Sequence, residues 1–382
     1  MNPLIKVYAN VKESFREKAF DKTFNNYGDP DRYLKANPDC PQLTAEDIRK
    51  IDEYWAQYGI KWKDYNDFRM YYNMTGVRDP RFIPGALVVY CITPYYNDPS
   101  KWSVLSDKNL FERLMPGMRF PTRLGWRVRG RYHDADGKDC GDTVTMEFAE
   151  KIWQGIQKSP DPTSMIVKQS QDSSHGDGVK KYFVSSAQDV FNALKEWTYP
   201  EIIIQATVIQ NDYFAKLNKD SVNIMRWITW RHDGEIKIFS TSIRIGTPGC
   251  ATDVGMKDGV RYCDTVKIDE NGYMDNLGWH GNGEIRTLDV PKEQVPSWEK
   301  IKELVIKNHA SMEYCDYIGW DMTVDNNGDV ICIEYNIRGP GAQVYQLCHR
   351  KPISGEYTDE FLAFLKDPEN QKKYLPKSIR IH

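Results

Sequence analysis

Residues 319–336 read GWDMTVDNNGDVICIEYN. Apolar residues flank Asn327-Gly328, a strong short-range signal for a β-hairpin. With Asn327 and Gly328 at the two central turn positions, Asn326 faces Asp329, and further along the ladder Asp321 lies opposite Glu334. Cross-strand neighbours have Cβ atoms about 5 Å apart. Asn336 is two residues beyond Glu334 and projects from the same face. Two carboxylates and an amide oxygen therefore converge on one patch. Like charges in opposition destabilise a sheet unless something neutralises them. A hard divalent cation does so, and carboxylate and amide oxygens are magnesium ligands. Asp321, Glu334 and Asn336 are thus candidate metal ligands. Magnesium completes its octahedron with water and substrate phosphates, so a nucleotide is expected nearby. The competing reading is a surface hairpin with solvated acids. It suits Asp325, Asn326 and Asp329 at the tip. It suits the trio less well, because Glu334 sits inside the apolar run Val330-Ile331-Cys332-Ile333-Glu334-Tyr335, and acids are rarely buried without a partner.

Composition narrows the class. The 382 residues are 40% apolar and 13% aromatic, enough for a sizeable core in one large domain or two to three smaller ones. The formal net charge of −3 gives no electrostatic reason to expect nucleic acid or an anionic membrane as partner. The first residues, MNPLIKVYANVKESFREKAF, lack a signal-peptide apolar core, and no apolar run approaches the roughly 20 residues of a membrane span. The 8 cysteines show no Cys-x-x-Cys pair and read as reduced thiols. A cytoplasmic protein is expected. Nothing in the chain speaks to its oligomeric state.

Around the hairpin the chain alternates irregularly. Val11 to Phe20 and Thr44 to Gly59 read as helices, the second with Thr44 as N-cap and Glu46 and Asp47 in its first turn. Tyr54 to Tyr96 is dense in aromatics and proline, suggesting an N-terminal cap region. SDKNLFERLM reads as a helix start capped by Ser106 or Asp107. MIVKQS and EIIIQATVI read as strands, SAQDVFNALKEW and WEKIKELVIKNHASM as helices, and the tail from Gly355 as helical. SVNIMRWITW and IKIFSTSIRIG flank Asp233-Gly234 and form a second hairpin. The order predicts an α+β fold with antiparallel sheets.

Six stretches in order resemble the ATP-grasp superfamily, closest to its sugar-transfer-associated branch. They are DPRFIPGALVVYCITPYYN, SDKNLFERLM, IVKQSQDSSHGDGV, SVNIMRWITW, SIRIGTPG and IGWDMTVDNNGDVICIEYNIRGPG. The Asp321–Glu334–Asn336 spacing is similar to the magnesium signature of enzymes such as D-alanine–D-alanine ligase. The resemblance covers roughly Tyr54 to Gly341. It implies two α+β subdomains clamping ATP, here 101–206 as the lid type and 207–345 as the core, with a mainly helical cap at 1–100 and a helical tail at 346–382. It implies ATP and Mg2+, two ions, as cofactors.

Residue by residue, Lys108 and Lys168 match the family's two phosphate-binding lysines. Ser173-Ser174-His175-Gly176-Asp177-Gly178 resembles the glycine-rich loop over the triphosphate, though His175 and Asp177 depart from the commoner glycine-rich pattern. Asp177 needs to point away from the phosphates. Ile202 to Ile209 resembles the strand that receives adenine, with main-chain contacts from Gln205 to Val208. Ala206 stands where many relatives carry an acid. Ser221-Val222-Asn223 with Arg226, and Arg244, match two further family segments. In ideal hairpin register Asn223 faces Arg244 while Arg226 faces Thr241, so both arginines line one site only if a bulge intervenes. Arg244 is the favoured reaction-centre cation, with Arg226 the alternative or a buried structural charge. Arg338 and Gln343 are candidate substrate contacts, as is Asn223.

The resemblance implies a ligase joining a carboxylate to an amine through an acyl phosphate, in surface-polysaccharide or natural-product assembly. The alternatives are a small-molecule kinase on the same scaffold and an ATP-binding protein without turnover. No side-chain nucleophile is required. Cys348 and His349, adjacent in sequence, do not orient each other for catalysis.

Overall fold

A computed structural model describes residues 16–171, 178–246, 248–250, 255–257, 260–280 and 283–381. Its contacts divide the chain into two compact units, 1–98 with 338–382, and 99–337.

The first unit is helical and aromatic. Helix Ala45–Ala56 opens with a reciprocal cap, in which the Thr44 hydroxyl accepts the Asp47 amide and the Asp47 carboxylate accepts the Thr44 amide. Helix Asn66–Thr75 ends at Gly76, whose φ of 71° suits a residue without Cβ. Trp55 meets Trp62 edge-on at 5.3 Å, and Tyr71 stacks on Phe82 at 4.8 Å. Gln346, in helix Gln343–His349, is fully buried and ties the C-terminal segment in by donating to the Tyr71 hydroxyl and the Ile83 carbonyl.

The second unit holds two antiparallel sheets. Strands β1 (Arg123–Val128), β2 (Arg131–Asp134), β3 (Ser164–Gln169), β4 (Val179–Phe183) and β5 (Ile202–Ala206) form a five-stranded sheet in the order β2-β1-β5-β3-β4. Helices Met146–Gln157 and Ala187–Lys195, capped by Thr145 and Ser186, supply its apolar cover. Strands β6 (Ile224–His232), β7 (Glu235–Gly246), β8 (Gly255–Lys257), β9 (Val260–Ile268), β10 (Met274–His280), β11 (Ile285–Thr287), β12 (Tyr317–Val324) and β13 (Val330–Asn336) form the larger sheet, ordered β11-β10-β9-β7-β6-β12-β13, with β8 beside β9. Helix Trp298–Ala310 closes the apolar face of this sheet over Met225, Trp227, Trp320 and Met322.

Both chain passages between the two sheets touch one hairpin. The segment entering β1 accepts the Cys332 amide at the Arg119 carbonyl, 2.8 Å, and Arg119 pairs with Asp329. The segment leaving β5 gives the Asn211 amide to Val324 and takes the Asn326 amide at Ile209, both at 2.9 Å.

The expected helix at SDKNLFERLM shrinks to Phe111–Leu114. Asp107 instead accepts the Asn109 amide, and the Lys108 amide goes to Ser170 on the far side of a loop. The tertiary bond overrides the local helical pattern. Asp325, expected in solvent, is buried, because its carboxylate accepts the amides of Asn327 and Asp329 and braces the turn.

Candidate active site

The β12–β13 hairpin differs from the ideal form in two places. Asp325 and Asp329 close a three-residue loop, with Gly328 at φ 82° in the left-handed position. Asn327-Gly328 is therefore not a two-residue turn, and near the tip Val324 pairs with Val330. Further along, Met322 pairs with Cys332 and Asp321 with Glu334, so Ile333 is an extra residue on β13. The bulge restores the opposition of the two acids. Gly319 pairs with Asn336, which puts the amide on the same face.

The β6–β7 hairpin follows a similar course. Asp233 and Gly234, with φ of 50° and 79°, make the two-residue turn. Thr229 pairs with Ile238 but Ile228 with Ser240, so Phe239 bulges out. Beyond it Arg226 pairs with Ser242 and Ile224 with Arg244. The ideal register is thereby corrected, and both arginines face the same side. Asn223 does not oppose Arg244. It is fully buried, and its amide donates to Gln210 Oε1, the Phe214 carbonyl and the Asn218 carbonyl, which braces the loop before β6.

Because β12 runs beside β6, the register continues across strands. Glu334, Asp321, Arg226, Ser242 and Lys267 stand in one cross-strand row. Lys267 escaped the sequence reading, since β9 reaches this row only through sheet order.

Charge is paired along the row. Asp321 is 1% exposed, and Arg226 grips it with both ends of its fork, Nε to Oδ1 at 2.7 Å and Nη2 to Oδ2 at 3.0 Å. Arg244 Nη2 lies 3.3 Å from Oδ1, and Asn336 Nδ2 donates to Oδ2 at 3.1 Å. Burial alone would raise the Asp321 carboxyl, but the two guanidinium groups outweigh it and hold it below the usual range. Glu334 is more open, its side chain 27% exposed, with Lys108 Nζ at 3.4 Å.

Lys168 ends its side-chain row on β3 and is buried. Burial first, and the like charge of Lys108 second, push its ammonium down to about 8. Glu334 and Asp321 offset this depression only in part.

Behind Asp321 the apolar face is locked. Trp320 Nε1 donates to Thr229 Oγ1 at 2.9 Å, Thr229 meets His309 Nδ1 at 2.7 Å, and His309 Nε2 meets the Cys315 carbonyl at 3.1 Å. The strand that carries Asp321 therefore cannot slip without breaking this chain.

Other candidates stand as follows. Ser173, Ser174, His175 and Gly176 lie outside the described residues, as does Asp177. Gly178 at the loop's end has φ 72°, and a Cβ there would come within 2.9 Å of Gln169 Cδ. Gln205 turns its side-chain amide to the Pro121 carbonyl, and the Ala206 amide is taken by the Thr122 carbonyl. The Ala206 amide is thus already taken within the fold. Arg338 is exposed and Gln343 donates to Met70 Sδ; both belong to the helical unit.

The donor set suits a hard cation. Glu334 offers carboxylate oxygen, and Asn336 gives its nitrogen to Asp321, leaving the amide oxygen for another partner. Among the described residues no three His, Cys, Asp or Glu side chains gather as a metal site; here the third donor is an amide. No helix among them is long and apolar enough to cross a membrane.

Solved structures similar to the chain include the D-alanine–D-alanine ligase of Coxiella burnetii, at 12% identity and TM-score 0.42 over 72% of this chain and 61% of that one. The D-alanyl-alanine synthetase A of Vibrio cholerae matches at 11% and 0.43 over 71% and 66%. The ATP-grasp ligase PsnB, complexed with a minimal precursor, matches at 12% and 0.39 over 70% and 63%. The chain spans less than two thirds of the length of each. No curated protein matches the sequence. The family model for sugar-transfer associated ATP-grasp proteins matches residues 91–359, most of the chain, and the protein belongs to that family.

Proposed function

We propose that the protein is an ATP- and Mg2+-dependent ligase that joins a carboxylate to an amine through an acyl phosphate. Its substrates are small molecules of surface-polysaccharide or natural-product assembly. The observation that supports this reading is the cross-strand row in which Glu334, Asp321 and Arg226 meet, with Asn336, Arg244 and Lys108 against it.

Glu334, Asn336 and Asp321 would hold the metal, as two ions. When bound, Mg2+ supplies neutralisation of the triphosphate charge. Lys108 and Lys168 bind the phosphates, and Thr207 and Val208 offer main-chain groups to the base. The substrate carboxylate attacks the γ-phosphorus and the bond to ADP breaks. Arg244, with Arg226, stabilises charge on the transferred group. The amine then attacks the acyl carbon, the carbon–oxygen bond to phosphate breaks, and the amine gives up a proton. Positioning and charge carry such a transfer, so no side-chain nucleophile is needed. Work would proceed in the cytoplasm.

A thermal shift with ATP, with and without Mg2+, tests the reading, because a ligand of the native state raises the melting temperature. A Mg2+-dependent rise is expected, followed by ADP release with a carboxylate and amine pair. No rise at millimolar nucleotide overturns the reading.

A further inference from the structure

The two acids of the row are not equivalent. Glu334 is partly open and has one cation 3.4 Å away. Asp321 is closed, for each oxygen already faces two nitrogen donors, Arg226 and Arg244 at Oδ1 and Arg226 and Asn336 at Oδ2. An ionised carboxylate has about four lone-pair sites, so its accepting capacity is filled. A divalent cation and the Arg226 fork cannot both take this carboxylate, since each needs the same lone pairs and their charges repel.

We propose that Arg226 is an exchangeable counter-ion, which holds Asp321 until metal and nucleotide arrive together and then turns to the phosphoryl group. The inference rests on the ATP and Mg2+ reading and adds a role that reading does not contain. Arg226 sits directly opposite Asp321 in the ladder, so the exchange needs only a change of side-chain torsions and leaves the strands in place. Metal alone must break a buried two-point ion pair and take Asp321 from a guanidinium that is itself buried. Metal with a triphosphate supplies a cation for Asp321 and an anion for Arg226 in one event. Metal and nucleotide therefore bind synergistically, each raising the other's affinity by the same factor. Arg226 acts on the metal through Asp321 and is in this respect a positioning residue.

The test is a Mn2+ titration of the full chain, followed by the loss of the free-Mn2+ electron paramagnetic resonance signal. It compares wild type, Arg226→Gln and Arg226→Lys, each with and without the β,γ-methylene analogue of ATP. Without nucleotide, Arg226→Gln is expected to bind Mn2+ at least about tenfold tighter than wild type, because apparent affinity scales with the fraction of sites already open. Arg226→Lys, which cannot span both oxygens, is expected to fall between them. The enhancement of Mn2+ binding by the analogue should shrink in the same order. A purely structural Arg226 would leave Mn2+ affinity unchanged or weaken it, and that outcome in a folded variant overturns the exchange. Should Arg226→Gln fail to give a cooperative melt, Arg226→Lys decides alone. If wild type with the analogue holds no Mn2+ beyond what the analogue binds in solution, the ATP reading falls and the exchange with it.

Discussion

Trp320 and Asp321 are neighbours on β12, as are Trp227 and Arg226 on β6, and all four are buried. The tryptophans point to the face covered by helix Trp298–Ala310, where Trp227 packs on Trp298 at 4.4 Å between centroids. The charged residues point to the other face. Both faces exclude water, but by different means. The apolar side is held by area and dispersion, which no ligand can replace. The polar side is held by the ion pairs of Asp321 with Arg226 and Arg244. Alternation along a strand thus divides labour, with one parity keeping the sheet in register and the other staying available for chemistry.

The sharpest way to break this contrast is at Glu334. Glu334→Gln is expected to lower turnover by at least about a hundredfold, while the melting temperature stays near wild type, since metal affinity and activity are sensitive to the ligand shell. ADP release under saturating ATP measures it, and near-normal turnover would remove Glu334 from the site. Stability comes next. Asp321→Leu removes the carboxylate that faces both Arg226 and Arg244, at an expected cost of about 3–5 kcal/mol. Trp227→Ala on the opposite face costs about 3–5 kcal/mol through lost packing. The faces separate in the double variant Arg226→Met/Asp321→Leu, which should recover in a urea melt the part of the loss owed to Arg226, because an apolar pair is no worse than a buried ion pair, while Arg244 still lacks Asp321. A double variant as unstable as Asp321→Leu alone would mean both faces are held alike.

A smaller effect is expected where the faces are linked. His309→Leu leaves Thr229 and the Cys315 carbonyl without their shared partner, at about 1–3 kcal/mol by denaturant unfolding. A value near zero would detach the lock from the register. The smallest effect is a proton. The free Lys168 ammonium is depressed to about 8, by burial before all else, from an ordinary 10.5. Between those two pH values the unfolded chain binds the proton that the folded chain has lost, so the Lys168 contribution to stability rises with pH. A triphosphate reverses the depression, so nucleotide binding near pH 9 should take up as much as about one proton, and affinity should fall as pH climbs above 8. Calorimetry in two buffers of different ionisation heat measures the uptake. Its persistence in Lys168→Met would assign the proton elsewhere.

What could be read from the residues was local. Turn chemistry located both hairpins, and the period of two put Asp321, Glu334 and Asn336 together. The bulges at Ile333 and Phe239 carry no signature that distinguishes them from their neighbours, because a bulge is chosen by the packing of a strand against its partners. At Ile333 the bulge offset the mistaken turn, and the acids met anyway. At Phe239 it moved Arg226 onto the site face and Asn223 off it. Lys267 was invisible because its place depends on β9 lying beside β7, and Asp325 was misjudged because Ile209 and Asn211 dock on the tip from far along the chain.

Those docking bonds have a mechanical meaning. The chain enters the five-stranded sheet past Arg119 and leaves it past Asn211, and both passages are pinned to the same hairpin, at Cys332 on one side and at Val324 and Asn326 on the other. Two tethers on one support define an axis. Rocking of the smaller sheet that keeps these bonds must pivot about the β12–β13 tip, while the far end of the same hairpin carries Asp321, Glu334 and Asn336. In such a motion Lys168, on β3, would travel with the smaller sheet, whereas the segment of Lys108 would stay with the hairpin, since Phe111 packs on Tyr335 at 4.2 Å.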